Sequence, residues 1–141
     1  MTVSLFIAAQ ISQASGRRNN PAAVRKAIEK SLPLLDSIRG WGQLPTLESD
    51  AYATGQALVA LHQAGGLSIT HRAYQRGVNY LIAAQAADGS WAVQSRSFPF
   101  QKYFESGFPY GHNQWISAAA SSWATMALIL TIEAPVNLTD R

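Results

Sequence analysis

Two groups able to move a proton, Glu105 and His112, flank the most aromatic stretch of this 141-residue chain. A histidine beside a carboxylate transfers protons near neutral pH. A histidine close to a helix start serves equally as a capping or surface group. The stretch itself, residues 98–115, holds four of the five phenylalanines, two tyrosines and a tryptophan. A loop this long in a compact domain is either functional or disordered, and its aromatic density argues against disorder. It either lines an apolar pocket or plugs one end of a helical assembly, since large exposed aromatic patches end up covered.

Other chemistries are excluded by composition. There is no cysteine, which removes thiol catalysis, disulfides and Cys-ligated zinc. No Gly-rich phosphate loop, HExxH or GxSxG is present, so no metal and no cofactor is expected. The formal net charge is +3, and the dense basic spots are Arg17-Arg18 with Arg25-Lys26. These lie far from the aromatics, so the basic stripe with interleaved rings expected of a nucleic-acid binder is missing. Charged residues make up 13% of the chain, against about 25% in ordinary domains. Such a chain buries an unusual share of itself or shows an apolar face to a partner. No unbroken apolar run reaches the roughly 18 residues of a membrane span. Met1 to Ser15 has a short apolar core, Val3 to Ala9, without the basic residues of a leader peptide.

The elements that would carry these residues are helices arranged in tandem. Arg76 to Trp91 and Lys26 to Trp41, fifty positions apart, both begin with a basic and a small residue. Both continue as an amphipathic helix and end in a glycine loop followed by tryptophan. After each tryptophan comes a helix rich in small residues, over 50–64 and over 114–131. The cores Ala57-Leu58-Val59-Ala60-Leu61 and Ala124-Thr125-Met126-Ala127-Leu128 align at an offset of 67, so the second repeat has the longer internal loop. The chain reads as one domain with a first repeat over about 21–65 and a second over about 68–131. Residues 2–14 read as the last helix of a preceding partial repeat. Asn20-Pro21, Ser49 or Asp50, Thr70 and Asn113 are the expected helix starts. Gly65-Gly66 is the expected stop of the second helix. Pro33 falls inside the first helix and should kink it. Two hairpins leave open ends, because repeat units bury their faces on neighbours. Self-association or further repeats of a longer chain are therefore expected.

Arg76, Gly77, Tyr80, Leu81, Gln85, Gly89 and Trp91 match the QW motif, and the chain resembles the squalene–hopene cyclases and related terpenoid cyclases. The first repeat is a degenerate copy that keeps Lys26, Ala27, Gly40 and Trp41, with Leu35 in place of the glutamine. The resemblance implies an all-α fold, an α/α toroid of outer and inner helices, with the QW helix outer. It implies structural roles for Tyr80, Gln85, Gly89, Trp91 and Trp41, the glutamine amide packing on the tryptophan ring. Protein prenyltransferases share that toroid, but their zinc site requires a cysteine that is absent here.

The resemblance also suggests a site. Squalene–hopene cyclases protonate an alkene with an aspartic acid of a D-x-D-D-T-A motif, a step that needs a neutral acid in a dry pocket. Here Glu48-Ser49-Asp50-Ala51-Tyr52-Ala53 keeps the first and third acids and loses the fourth. Glu48 and Asp50 are thus the candidate catalytic pair, while helix capping is the plainer use of the same residues. Tyr52, Phe104, Phe108, His112, Trp115 and Trp123 are candidate ligand-binding residues, aromatic walls being suited to a carbocation. Two functions follow. One is a cyclase-like isomerase segment acting on an apolar isoprenoid, inactive as an isolated chain. The other is a non-catalytic helical-repeat module that binds an apolar ligand or a protein partner.

Overall fold

The computed structural model describes residues 40–44, 46–63, 66–98 and 102–132, together with Ala22 and Lys26, which are helical. The expected helix over 2–14, the remainder of the first repeat's helix, and the kink at Pro33 lie outside the described residues. Three α-helices are present: α1 (Ala51–Gln63), α2 (Arg72–Ala84) and α3 (Gln114–Ile132). A single 3-10 turn, Gly111–Asn113, leads into α3. No strand occurs among the described residues, and the fold is all-α.

Local chemistry explains where the helices start and stop. Asp50 caps α1, its Oδ1 accepting the Ala53 N–H at 2.8 Å. At the other end Gly66 adopts a left-handed φ of 64°. Its N–H reaches the His62 carbonyl and the Leu67 N–H reaches the Leu61 carbonyl, each at 3.0 Å. The first is the 5→1 bond of an αL cap, a conformation glycine permits at no steric cost. Helix α2 is capped by His71, whose Nδ1 accepts the Ala73 N–H at 3.2 Å, rather than by the expected Thr70. The Thr70 hydroxyl is already engaged with Ser68 at 2.7 Å. Asn113 does not cap α3 in the expected way either. Its Oδ1 accepts the Ser95 N–H at 2.8 Å, and the 3-10 turn supplies the entry to the helix.

The core lies between α1 and α3, with α2 laid across α1. Leu58, Leu61, Tyr74, Leu81, Ala120, Ala124 and Ala127 are fully buried. Small residues set the spacing. A Cβ on Gly55 would sit 2.7 Å from the Trp123 carbonyl carbon and 2.8 Å from the Ala124 nitrogen, so α1 and α3 touch backbone to backbone there. A Cβ on Gly77 would lie 2.8 Å from Leu58 and 2.9 Å from the Trp41 ring. The Tyr74 hydroxyl donates to the Ala127 carbonyl at 3.0 Å and ties α2 to α3.

The outward side of α3 departs from the expectation that no span of membrane length exists. Gly111–Ile132 is a continuous helical run of 22 residues containing an 18-residue stretch of mean hydropathy 1.5, long and apolar enough to cross a bilayer by length and composition. Polar residues such as Gln114, Ser117 and Ser121 interrupt the apolar run in sequence, but the alanines and aliphatics around them keep the average high. Only 22% of that 18-residue stretch is buried, and Trp115, Met126, Ile129 and Ile132 are exposed. The buried stripe is Gln114, Ser117, Ala120, Ala124 and Ala127, the three- and four-residue spacing of a helix packed on one side.

The contact at Gly55 yields a direct expectation. Gly55→Val forces α1 and α3 apart and lowers unfolding free energy by about 2–3 kcal/mol, the cost of overpacking a close-packed site. Urea denaturation of the variant beside the parent chain measures it.

Candidate functional site

Trp41 and Trp91 are each 2% exposed, and each is pinned through its backbone to the helix that follows. The Trp41 N–H donates to Thr54 Oγ1 at 2.9 Å, and that hydroxyl donates back to the Trp41 carbonyl at 3.2 Å. The Trp91 N–H donates to Ser121 Oγ at 3.0 Å. Thr54 and Ser121 are separated by 67 positions, the same offset that aligns the small-residue helices in the sequence. The two tryptophans therefore occupy equivalent settings. The second latch is extended by Ser117, whose Oγ accepts the Val93 N–H at 3.0 Å and donates to the Val93 carbonyl.

The indoles differ at their tips. Trp91 Nε1 donates to the Leu81 carbonyl at 2.7 Å, satisfying one of the orphan acceptors at the end of α2. Trp41 Nε1 is buried with no hydrogen-bond partner. The Gln85 side chain is exposed. Its Nε2 donates to the Gly89 carbonyl at 2.9 Å and braces the turn in which Gly89 adopts a φ of 85°. The helix end is thus closed by the indole, and the turn beyond it by the amide.

Asp50 and Glu48 stand at the start of α1. Both Asp50 carboxylate oxygens are engaged, Oδ1 with the Ala53 N–H and Oδ2 with Gln43 Nε2 at 2.9 Å. Glu48 is exposed. The Tyr80 hydroxyl donates to the Ser49 carbonyl between them at 2.5 Å. Burial raises the Tyr80 phenol above its usual value, and the negative charges of Asp50 and Glu48 raise it further.

The aromatic loop folds back on the N-terminal end of α3, and Gln114 holds it there. This glutamine is fully buried. Its Oε1 accepts from the Ser106 N–H at 2.5 Å and from the Ser106 hydroxyl, and its Nε2 donates to the Phe104 carbonyl at 2.9 Å. Tyr110 enters the 3-10 turn with a φ of 85°, a conformation that costs a bulky residue strain. Its hydroxyl meets Ser90 Oγ at 2.6 Å, which links the loop to the turn before Trp91. Glu105 and His112 make no hydrogen bond to each other; Tyr103 stands between them. The Tyr103 hydroxyl donates to Glu105, raising the phenol and lowering the carboxyl from their usual values. The Tyr103 ring packs on His112 with centroids 4.3 Å apart.

A cavity of about 700 Å³ opens between this loop and α3. Phe104 and Trp115 stand on one side as a near-parallel pair, centroids 6.2 Å apart at 25°. Ser95, Ser97 and Asn113 form a hydrogen-bonded polar wall. Phe98, Lys102, Tyr103, His112 and Ile116 complete it. Of the residues expected to bind a ligand, the fold brings Phe104, His112 and Trp115 together here. Tyr52 and Trp123 are instead packed against the core, and Phe108 pairs with Tyr110 at 6.3 Å. Glu48 and Asp50 do not line the cavity. No group of three or more His, Asp or Glu side chains able to hold a metal exists among the described residues.

Comparison with known proteins reaches one named relative at this point. The chain is similar to a squalene–hopene cyclase of Bradyrhizobium diazoefficiens, 32% identical over 106 residues. The alignment takes in 67% of this chain and 15% of the cyclase, so the chain corresponds to a small part of that protein's length. No family model matches the chain, and no solved structure matches it.

Several residues that organise the site escaped the sequence reading. Thr54, Ser117, Ser121 and Gln114 passed as ordinary members of small-residue helices. The available signal was the spacing of Gln114, Ser117 and Ser121 along one face of an otherwise apolar helix, where each polar group must find a partner.

The contrast between the two indoles is measurable. Trp91→Phe strands the Leu81 carbonyl and costs about 1–3 kcal/mol of stability. Trp41→Phe removes a donor that has no acceptor, so its polar cost is near zero and only the smaller ring is felt. Paired denaturant titrations of the two variants separate these effects.

Proposed function

We propose that the chain is a squalene-cyclase-like repeat segment of an α/α toroid, one domain of two hairpin repeats. In this reading it seats an apolar isoprenoid-type ligand and does not itself supply the proton. The observation that carries it is the cavity walled by Phe104 and Trp115, in a chain similar to a squalene–hopene cyclase. Aromatic faces with few polar groups suit a hydrocarbon body. The engagement of both Asp50 oxygens at a helix start supports a capping role for that residue. Asp50 also stands apart from the residues that line the cavity, so it is not placed to meet a ligand seated there.

Squalene offered to the purified chain should bind and be recovered without a cyclic product. Trp115→Ala should weaken binding about five- to tenfold, the scale of losing one aromatic wall. Asp50→Asn keeps a capping side chain and should leave binding unchanged. A cyclic product that disappears in Asp50→Asn would instead make Asp50, with Glu48, the acid of a cyclase.

A second reading concerns partners and rests on the uncovered face of α3, with Met126, Ile129 and Ile132 exposed. An apolar helix face of this kind is the usual mark of an association surface, and a second copy of the chain is its proposed occupant. Light scattering should then report a mass above that of one chain, returning to one chain in Ile129→Glu. A single-chain mass in the parent protein would end this reading.

A further inference from the structure

The cavity between the aromatic loop and α3 is not uniformly apolar, and its polar side has a definite sign. Ser95 and Ser97 meet through their hydroxyls at 3.0 Å, and Asn113 is joined to them by accepting the Ser95 N–H at 2.8 Å. Since the Asn113 oxygen is engaged, its NH₂ is the group left to face a ligand. Lys102 also lines the cavity and has no ion-pair partner among the described residues. The nearby carboxylate, Glu105, is turned into its own loop. One oxygen accepts from Tyr103 and the other from the Gly107 N–H at 3.0 Å. Glu105 is absent from the lining, and no acidic residue occurs among its described residues. The same lining also carries carbon surface: Phe104 on Trp115, with Ile116 and Phe98.

We infer that the cavity takes an amphiphile whose apolar body lies on the Phe104–Trp115 pair and whose anionic head meets Lys102, Ser97 and the Asn113 amide. This rests on the proposed reading of the same cavity as a seat for an apolar ligand and adds a charge to that ligand. A purely neutral hydrocarbon offers the lysine and the amide donors no acceptor, whereas an anionic head offers one to both. The pair is partly open to water, so the head contributes the modest increment of a screened contact and the aromatic wall contributes most of the affinity.

The test uses the full 141-residue chain and two probes with the same body, the fluorescent polyene cis-parinaric acid and its methyl ester, with squalene as competitor. The acid should bind about fivefold more tightly than the ester, the scale of one exposed charge pair. In Lys102→Gln the two probes should bind alike, the ester's affinity being unchanged. Trp115→Ala should weaken acid and ester by the same factor. If ester and acid bind equally to the parent chain and squalene displaces both, the apolar seat stands and the anionic head is wrong. The head is also wrong if the acid's preference survives Lys102→Gln. If neither probe nor squalene binds, both the seat and the head fall. Circular dichroism of the two variants checks that their helices persist, both substitutions being at exposed positions.

Discussion

A tryptophan held by its own backbone to a hydroxyl on the next helix is the constraint on which this structure turns. A helix that ends in a glycine bend would otherwise release the chain into solvent, and the helix after it could settle at many angles. The Trp41–Thr54 and Trp91–Ser121 bonds remove that freedom. The first latch is buried and the second part-buried, and away from water a missing partner costs more than the bond itself contributes. The indole then fills the space between consecutive helices. A small residue on the helix it faces, such as Gly77 against the Trp41 ring, makes room for it. Backbone, ring and cavity are thereby set in one step.

The same logic explains why α3 is both apolar and punctuated by hydroxyls. Its buried side must accept the extended segment after Trp91, which has backbone N–H and carbonyl groups but no strand to pair with. Ser117 and Ser121 supply the missing partners from a helix face. Gln114 does the same for the aromatic loop one turn earlier. A loop of irregular backbone can lie against an apolar helix only when its polar groups are met in this way. Larger apolar side chains at these positions would fill the space and leave the loop unsatisfied.

Much of the fold was legible because helical periodicity and glycine punctuation act locally. The offset of 67 between the small-residue helices was visible in Ala57–Leu61 and Ala124–Leu128, and it returns as the separation of Thr54 from Ser121. Helix starts were less legible. Thr70 and His71 are neighbours that both carry a capping atom, and the choice was made by Ser68 taking the Thr70 hydroxyl. Asn113 was drawn away by Ser95, a residue eighteen positions earlier. The site divided in the same manner. Phe104, His112 and Trp115 converge because they flank the start of one helix. Tyr52 and Trp123 sit against the core instead, since the contact of Gly55 with the Trp123 backbone brings α1 and α3 too close to leave space between them. That approach is a tertiary fact carried by one glycine, and no periodicity announces it.

Sequence similarity to part of a cyclase does not by itself carry the cyclase's chemistry, because an acid and a cavity must also meet. Here the acids occupy the entrance of α1 and the cavity occupies the entrance of α3. Each lies beyond a tryptophan whose backbone N–H is held by a hydroxyl of the helix that follows. Trp41 is joined to α1 by a short segment, which keeps Asp50 within reach of the helix N–H groups. Trp91 is joined to α3 by a longer one, and its aromatic residues wall a space of about 700 Å³. The stretch between tryptophan and helix thus yields a helix cap ahead of α1 and a ligand-sized hollow ahead of α3. The difference lies in the length and composition of the loop, while the latch beneath it stays the same.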